Sequence, residues 1–452
     1  MTRLWFETAL LEQGWAQGVR LTLQAGKIAR VEVGVSAGSE DEQHEIAIPG
    51  MSNVHSHGFQ RAMAGFTEVA GPGADSFWTW RELMYRFLER LGPEEVEAVT
   101  AFAFMEMLES GFTRVGEFHY LHHDPNGAPY ADLGELTNRV AAAAQQSGIG
   151  LTLLPVLYAH SNFGGLAPNA GQRRFINDID RFSRLMDAGR SAVKSLDDGL
   201  VGVAPHSLRA VTPEELNAAV SLAPEGAIHI HAAEQTKEVE DCVAWSGQRP
   251  VEWLFEHASV DARWCFIHAT HLNADETRRL AASGAVAGLC PITESNLGDG
   301  IFPALNYLNA GGVFGIGTDS NILIDAAAEL RTLEYSQRLV HRRRNVLAGG
   351  EQRSTGRQLF DAAVKGGAQA VGIKEAGLVA GAAADIVSFN PAHPSLLSRQ
   401  GDALLDGWIF AARDRAVDCV WRYGRKVVVG GAHAQREAIT ARYRKVLAQL
   451  TI

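Results

Sequence analysis

Residues 226–234 read Gly226-Ala227-Ile228-His229-Ile230-His231-Ala232-Ala233-Glu234. An apolar run that opens on glycine and closes on a titratable residue predicts a buried strand with His231 at its C-terminal end. Glu234 follows on the loop or first helical turn. Similar endings recur in Val54-His55-Ser56-His57, Val203-Ala204-Pro205-His206, Cys265-Phe266-Ile267-His268 and Gly315-Ile316-Gly317-Thr318-Asp319. Buried strands rarely end in titratable groups repeatedly, because each such group is costly to bury without a partner.

Outward from that run, the chain alternates. Apolar strand-like runs lie at 46–50, 111–118, 150–158, 200–205, 226–231, 263–268, 285–290 and 313–318. Helical stretches lie between them at 94–109, 134–147, 174–193, 213–222, 235–257, 274–282 and 302–310. Strands alternating with helices imply parallel pairing with helix-covered faces. Eight such units predict an α/β fold, a (β/α)8 TIM barrel. The rival, an open doubly wound sheet, lacks its GxGxxG phosphate fingerprint after an early strand. The ends of the chain differ. Val19 to Leu23 and Ile28 to Val33 form a hairpin about Ala25-Gly26, and strands return at Ala384–Phe389, Val417–Trp421 and Lys426–Val429. The expected division is therefore a small β-sandwich domain built from 1–48 and 376–452, the latter with a terminal helix over 434–449, around a barrel of 49–375.

Composition sets the outer limits. The chain has 452 residues, 46% of them hydrophobic and 21% charged, which supports a large core and excludes global disorder. The 41 Lys and Arg against 52 Asp and Glu leave a formal net charge of −11, opposite to what a nucleic-acid partner requires. The basic run His341-Arg342-Arg343-Arg344 reads as a solvated or salt-bridged face. Cys242, Cys265, Cys290 and Cys419 are scattered without a CxxC, which fits a reducing compartment. Glu7 and Glu12 interrupt any apolar leader, and no uncharged apolar stretch is long enough to span a membrane. A cytoplasmic protein is expected.

Residues two apart on a strand share a side, so His55 and His57 can face one ion. Closing the barrel puts the eighth strand beside the first and brings Asp319 to them, with His231 from the fifth. Three imidazoles and a carboxylate predict one divalent metal ion, most naturally Zn2+, with Fe2+ as the alternative.

This set of HxH, HxxE, strand-end His and strand-end Asp resembles the amidohydrolase superfamily in its mononuclear deaminase branch. Binuclear members carry a bridging lysine, and none occurs between Gly148 and His160 or between Gly199 and His206. Local segments are similar to the formimidoylglutamate deiminase family. They include His57-Gly58-Phe59-Gln60-Arg61-Ala62-Met63, Phe77-Trp78-Thr79-Trp80-Arg81-Glu82, Gly116-Glu117-Phe118-His119-Tyr120 and Asn296-Leu297-Gly298-Asp299-Gly300. Thr318 and Asn321 depart from the pattern, which has Ser and His there. The resemblance implies hydrolysis of N-formimidoyl-L-glutamate to N-formyl-L-glutamate and ammonia, in histidine degradation, by a homodimer. It also implies roles. His55, His57, His231 and Asp319 hold the metal. Asp319 takes a proton from water, His268 orients the nucleophile, and Glu234 relays a proton to the departing nitrogen. Arg81, Arg209 and Tyr120, expected on loops, clamp the two carboxylates, while Gln60 and His206 contact the formimidoyl end. His229 lies a layer deeper in the barrel. His119, His122 and His123 read as supporting residues.

Two other readings remain at this level. A purine or pterin deaminase of the same branch would need an aromatic sandwich rather than paired arginines. A non-catalytic scaffold of this fold would have lost its ligands, and here the set is intact.

Overall fold

Eight parallel strands close on themselves in the computed structural model, which describes residues 1–71, 73–414 and 416–450. They are Met51–Ser56, Phe112–His119, Gly150–Leu157, the interrupted pair Leu200–Val201 and Ala204–Pro205, Ile228–Ala232, Trp264–His268, Val286–Leu289 and Val313–Ile316. The eighth pairs with the first, Ile316 opposite Asn53. The fourth meets the fifth through single bridges at Val203–Ile228 and Ser207–His231, completing the circle. Gly202 makes that last seam possible, because a Cβ there would stand 2.5 Å from the Ala227 carbonyl oxygen. Strands such as Phe112–His119 are buried at every position, as parallel strands covered on both faces must be.

The apolar run at 46–50 does not belong to the barrel. Strand Glu42–Pro49 runs parallel to Thr2–Leu11 and antiparallel to Ile386–Phe389 in a second sheet. The first barrel strand starts after Gly50, where a Cβ would collide with the Thr113 side chain at 2.3 Å. The second sheet joins strands from both ends of the chain and curls back. Ile28 donates to the Ala382 carbonyl at 3.0 Å, so the sheet's halves enclose Leu4, Phe6, Leu21, Ile386 and Trp421. It is pinned to the barrel by charge: Asp198 lies 2.5 Å from Arg114 of the second barrel strand and also pairs with Arg422 of strand Val417–Arg422.

Helices cover the barrel with boundaries set by local chemistry. The stretch 235–257 is two helices, Thr236–Ser246 and Pro250–His257, because Gly247 turns left-handed (φ 78°) and Pro250 opens a new first turn. Helix Ile179–Ala192 starts later than 174 because Asp178 caps it, accepting from the Arg181 amide. Arg342 adopts φ 51° and ends helix Ala326–His341, which leaves the run 341–344 exposed. Helix Phe77–Leu88 stands where an aromatic loop was expected, so Arg81 sits on a helix. The Ser76 hydroxyl caps it and Thr79 answers in a capping box. All four cysteines are free and buried. Among the described residues, no helix is long and apolar enough to cross a membrane.

Candidate active site

The titratable strand ends gather at the C-terminal mouth of the barrel, the face where barrel enzymes carry their chemistry. Asp319 Oδ1 lies 3.3 Å from His55 Nε2 and 3.2 Å from His57 Nε2. His55 Nε2 lies 3.1 Å from His231 Nε2. The donor atoms of His55, His231, His268 and Asp319 all fall within 4.8 Å of one another. His57 stands at the edge of that group, its ring centroid 5.8 Å from that of His231. Two outer hydrogen bonds set the tautomers: His57 Nδ1 donates to the Phe118 carbonyl and His231 Nδ1 to the His206 carbonyl, each at 3.0 Å. Their Nε2 atoms then face the cluster, His57 toward Asp319 and His231 toward His55, the orientation a metal-binding histidine needs. Burial pushes His55 down to about 3 and His231 well below the usual imidazole range, so both are neutral. Burial alone would raise Asp319, but the imidazoles of His55 and His57 against it, with His268 adding, outweigh burial and hold the carboxylate well below its ordinary value. Neutral nitrogens crowded on one carboxylate form a donor set that fits a divalent cation.

Beside these donors stand Glu234, His268 and Glu294. His268 Nε2 is 3.8 Å from both Glu234 Oε1 and Asp319 Oδ2, and its Nδ1 is 3.3 Å from Glu294 Oε1. Burial disfavours charge on His268, but Glu234, Glu294 and Asp319 outweigh it and lift the imidazole to about 10. Burial raises Glu234, with Glu238 and Asp319 adding, against His268 and Arg209. Left-handed backbone at Ala233 (φ 52°), His268 (φ 68°) and Asp319 (φ 45°) aims these strand ends inward, strain that concentrates at working sites.

A small cavity opens over this centre. Gln60, Arg81, Tyr120, His206, Arg209 and Glu234 all line it. Arg209 is buried, with Nη2 3.5 Å from Glu234 Oε2 and its guanidinium 5.7 Å from the Trp78 ring. Arg81 also stacks on Trp78, its guanidinium 4.7 Å from the ring. Nε of both arginines lacks a protein partner, as does Gln60 Oε1. Gln60 Nε2 donates to the Tyr120 hydroxyl at 2.8 Å. Burial keeps His206 neutral, with Arg209 adding. The pocket thus offers two guanidiniums with donors to spare, which suits a ligand carrying carboxylates.

Comparison with known proteins bears on this chemistry. Residues 46–427 match the amidohydrolase family, and residues 1–45 match the N-terminal domain of formimidoylglutamate deiminase HutF. A formimidoylglutamate deiminase of Pseudomonas aeruginosa is 48% identical over 452 residues, covering 100% of both chains. The chain belongs to the formimidoylglutamate deiminase family. An amidohydrolase from Brucella melitensis, known from its crystal structure, is 55% identical with a TM-score of 0.97 and covers 100% of both chains. An adenosine deaminase from Xanthomonas campestris with bound zinc shares the fold at 22% identity and a TM-score of 0.81, covering 99% of this chain and 98% of that one.

Within this deiminase family member, Thr318 and Asn321 partner one another. Thr318 Oγ1 donates to Asn321 Oδ1 at 2.6 Å and accepts from Asn53 Nδ2 at 2.7 Å. Asn321 Nδ2 reaches the carbonyl oxygens of His57 and Asp319, each at 3.1 Å. The network ties the first and eighth strands together beneath the ligands. His229 turns away from the mouth and bonds the Ala370 carbonyl at 2.7 Å. His122 and His123 bond the Val156 and Ile176 carbonyls, each at 3.0 Å. Sequence reasoning missed Glu294, Glu238 and Asp299. Glu238 accepts the amides of Ala233 and Glu234, each at 3.1 Å, and its position four residues after Glu234 on a helix start was a usable signal.

Proposed function

We propose that this protein hydrolyses N-formimidoyl-L-glutamate to N-formyl-L-glutamate and ammonia, the step its family performs in histidine degradation. The observation that carries the reading is the pairing of a three-histidine, one-aspartate cluster with two arginines whose unpaired donors line the cavity above it. His55, His57, His231 and Asp319 would hold one divalent ion. Bound there, the ion supplies Lewis acidity that makes water nucleophilic near neutral pH. Asp319 accepts the proton that this water sheds. His268, steadied by Glu294 on its other nitrogen, orients the incoming oxygen and offsets charge growing on it. Burial raises Glu234, which delivers a proton to the nitrogen that departs as ammonia. Arg209 and Arg81 take the glutamyl carboxylates with Tyr120, while Gln60 and neutral His206 accept hydrogen bonds from the formimidoyl nitrogens. A purine would leave both guanidiniums without a carboxylate.

Zinc is the proposed ion, because three imidazoles and one carboxylate suit a borderline-soft cation; Fe2+ is the alternative that metal analysis separates. We further propose a cytoplasmic homodimer, in keeping with four free thiols, and a catalytic unit of 49–375 flanked by a unit of 1–48 with 376–452. The test is ammonia release from N-formimidoyl-L-glutamate before and after chelation. Activity that disappears with chelator and returns with zinc is expected. Turnover of guanine in preference to the linear amidine would overturn the assignment.

A further inference from the structure

The segment after the seventh strand, which carries Glu294, reaches the site again farther along. Its helix Pro291–Leu297 ends at Leu297, which lines the cavity. Asn296 Nδ2 donates to Glu68 Oε1 at 2.8 Å, tying the segment to the loop ahead of helix Phe77–Leu88. Two residues past Leu297, Asp299 is buried and joins three loops at once. Its carboxyl accepts the Gln235 side-chain amide, its carbonyl accepts from His271 Nε2 at 2.8 Å, and its amide donates to the Glu294 carbonyl at 2.9 Å. Gln235 is the residue next to Glu234. The loops after the fifth, sixth and seventh strands therefore meet on one side chain and its own peptide groups.

We propose that Asp299 is a positioning residue for deimination: by holding Gln235 it fixes the direction of the adjoining Glu234, and it seats Leu297 against the pocket. The contact is with the chain that carries the acid, not with substrate. Burial, with Glu234 adding, pushes the Asp299 carboxyl up to about 9. Gln235 needs only an acceptor oxygen there, and asparagine offers the same oxygen in the same shape. Misplacement of a catalytic group by about 1 Å costs up to ~10²-fold in rate.

This inference rests on the deiminase reading, and the experiment separates the two. Full-length metal-loaded enzyme is assayed with N-formimidoyl-L-glutamate as wild type, D299A, D299N, Q235L and the D299A/Q235L double variant. Metal content and thermal unfolding are measured alongside. The expectation is a ~10- to 100-fold fall in kcat for D299A and for Q235L, with KM within ~3-fold and metal content unchanged. D299N recovers kcat to within ~3-fold of wild type, and the double variant is no worse than the poorer single one. Should D299A fail to fold, Q235L alone decides. Wild-type kcat in Q235L, additive losses in the double variant, or D299N as damaged as D299A would overturn the proposal. An inactive wild type would instead overturn the deiminase reading.

Discussion

Replacing Glu234 with glutamine removes a proton carrier and keeps the side-chain volume. Its two oxygens sit 3.5 Å from Arg209 Nη2 and 3.8 Å from His268 Nε2, and an amide fills the same space. A positioned general acid contributes ~10²–10⁴ in rate. At ~1.36 kcal/mol per tenfold, that range corresponds to about 2.7–5.5 kcal/mol on the barrier. The upper half is expected here, because His268 is already committed to Glu294 on Nδ1 and cannot turn to replace the acid. Glu234 is not among the proposed ligands His55, His57, His231 and Asp319, so E234Q should keep its metal. The assay is ammonia release at saturating substrate, read beside metal content per chain. A kcat within ~3-fold of wild type would refute the proton-relay role. Loss of metal from E234Q would show that Glu234 serves the ion instead.

Arg209→Met should act on capture more than on chemistry, since charge-assisted hydrogen bonds to a carboxylate contribute about 1.5–3 kcal/mol. That predicts a ~10- to 100-fold rise in KM, with R81M in the same direction and kcat less affected. Equal loss of kcat and kcat/KM in both variants would contradict a binding role. Asp198 gives a prediction about stability. Burial would raise its carboxyl, but Arg114 and Arg422 outweigh burial and hold it below the usual range. Its stabilisation is therefore complete above the unfolded value near ~3.9 and is lost as pH falls through the lower folded value. D198N should unfold at a lower temperature at pH 7, by roughly 3 kcal/mol, and lose part of that acid-dependent step. Thermal scans from pH 7 to pH 3 check both.

The mouth of the barrel was legible because its chemistry sits where apolar runs stop. His231, His268 and Asp319 end strands, and strand ends of one barrel must share a face. Glycine and the limits of each run marked most strands to within a few residues. The first was misplaced because Ile46-Ala47-Ile48 is a short apolar run like the barrel strands, and no local feature says which of two sheets it joins. Helix Phe77–Leu88 was hidden because four residues with three aromatic rings give no helical period, although Ser76 and Thr79 carried the capping signal. Glu294 and Asp299 were illegible for another reason. Their partners, His268 at the end of the sixth strand and Gln235 after the fifth, lie on other parts of the barrel, and only closure of the barrel brings them together.

Strand Glu42–Pro49 takes one neighbour from residues 2–11 and the other from residues 386–389. On the ribosome, the chain between Pro49 and Ile386 takes roughly 20–70 s to make at ~5–20 residues/s. Throughout that time the newborn N-terminal hairpin carries a bare, apolar flank that any nascent neighbour could zip onto. Truncating the chain before residue 386 should therefore yield aggregates rather than a trimmed enzyme, and the late-arriving tail serves as the clasp that shuts the first strands away.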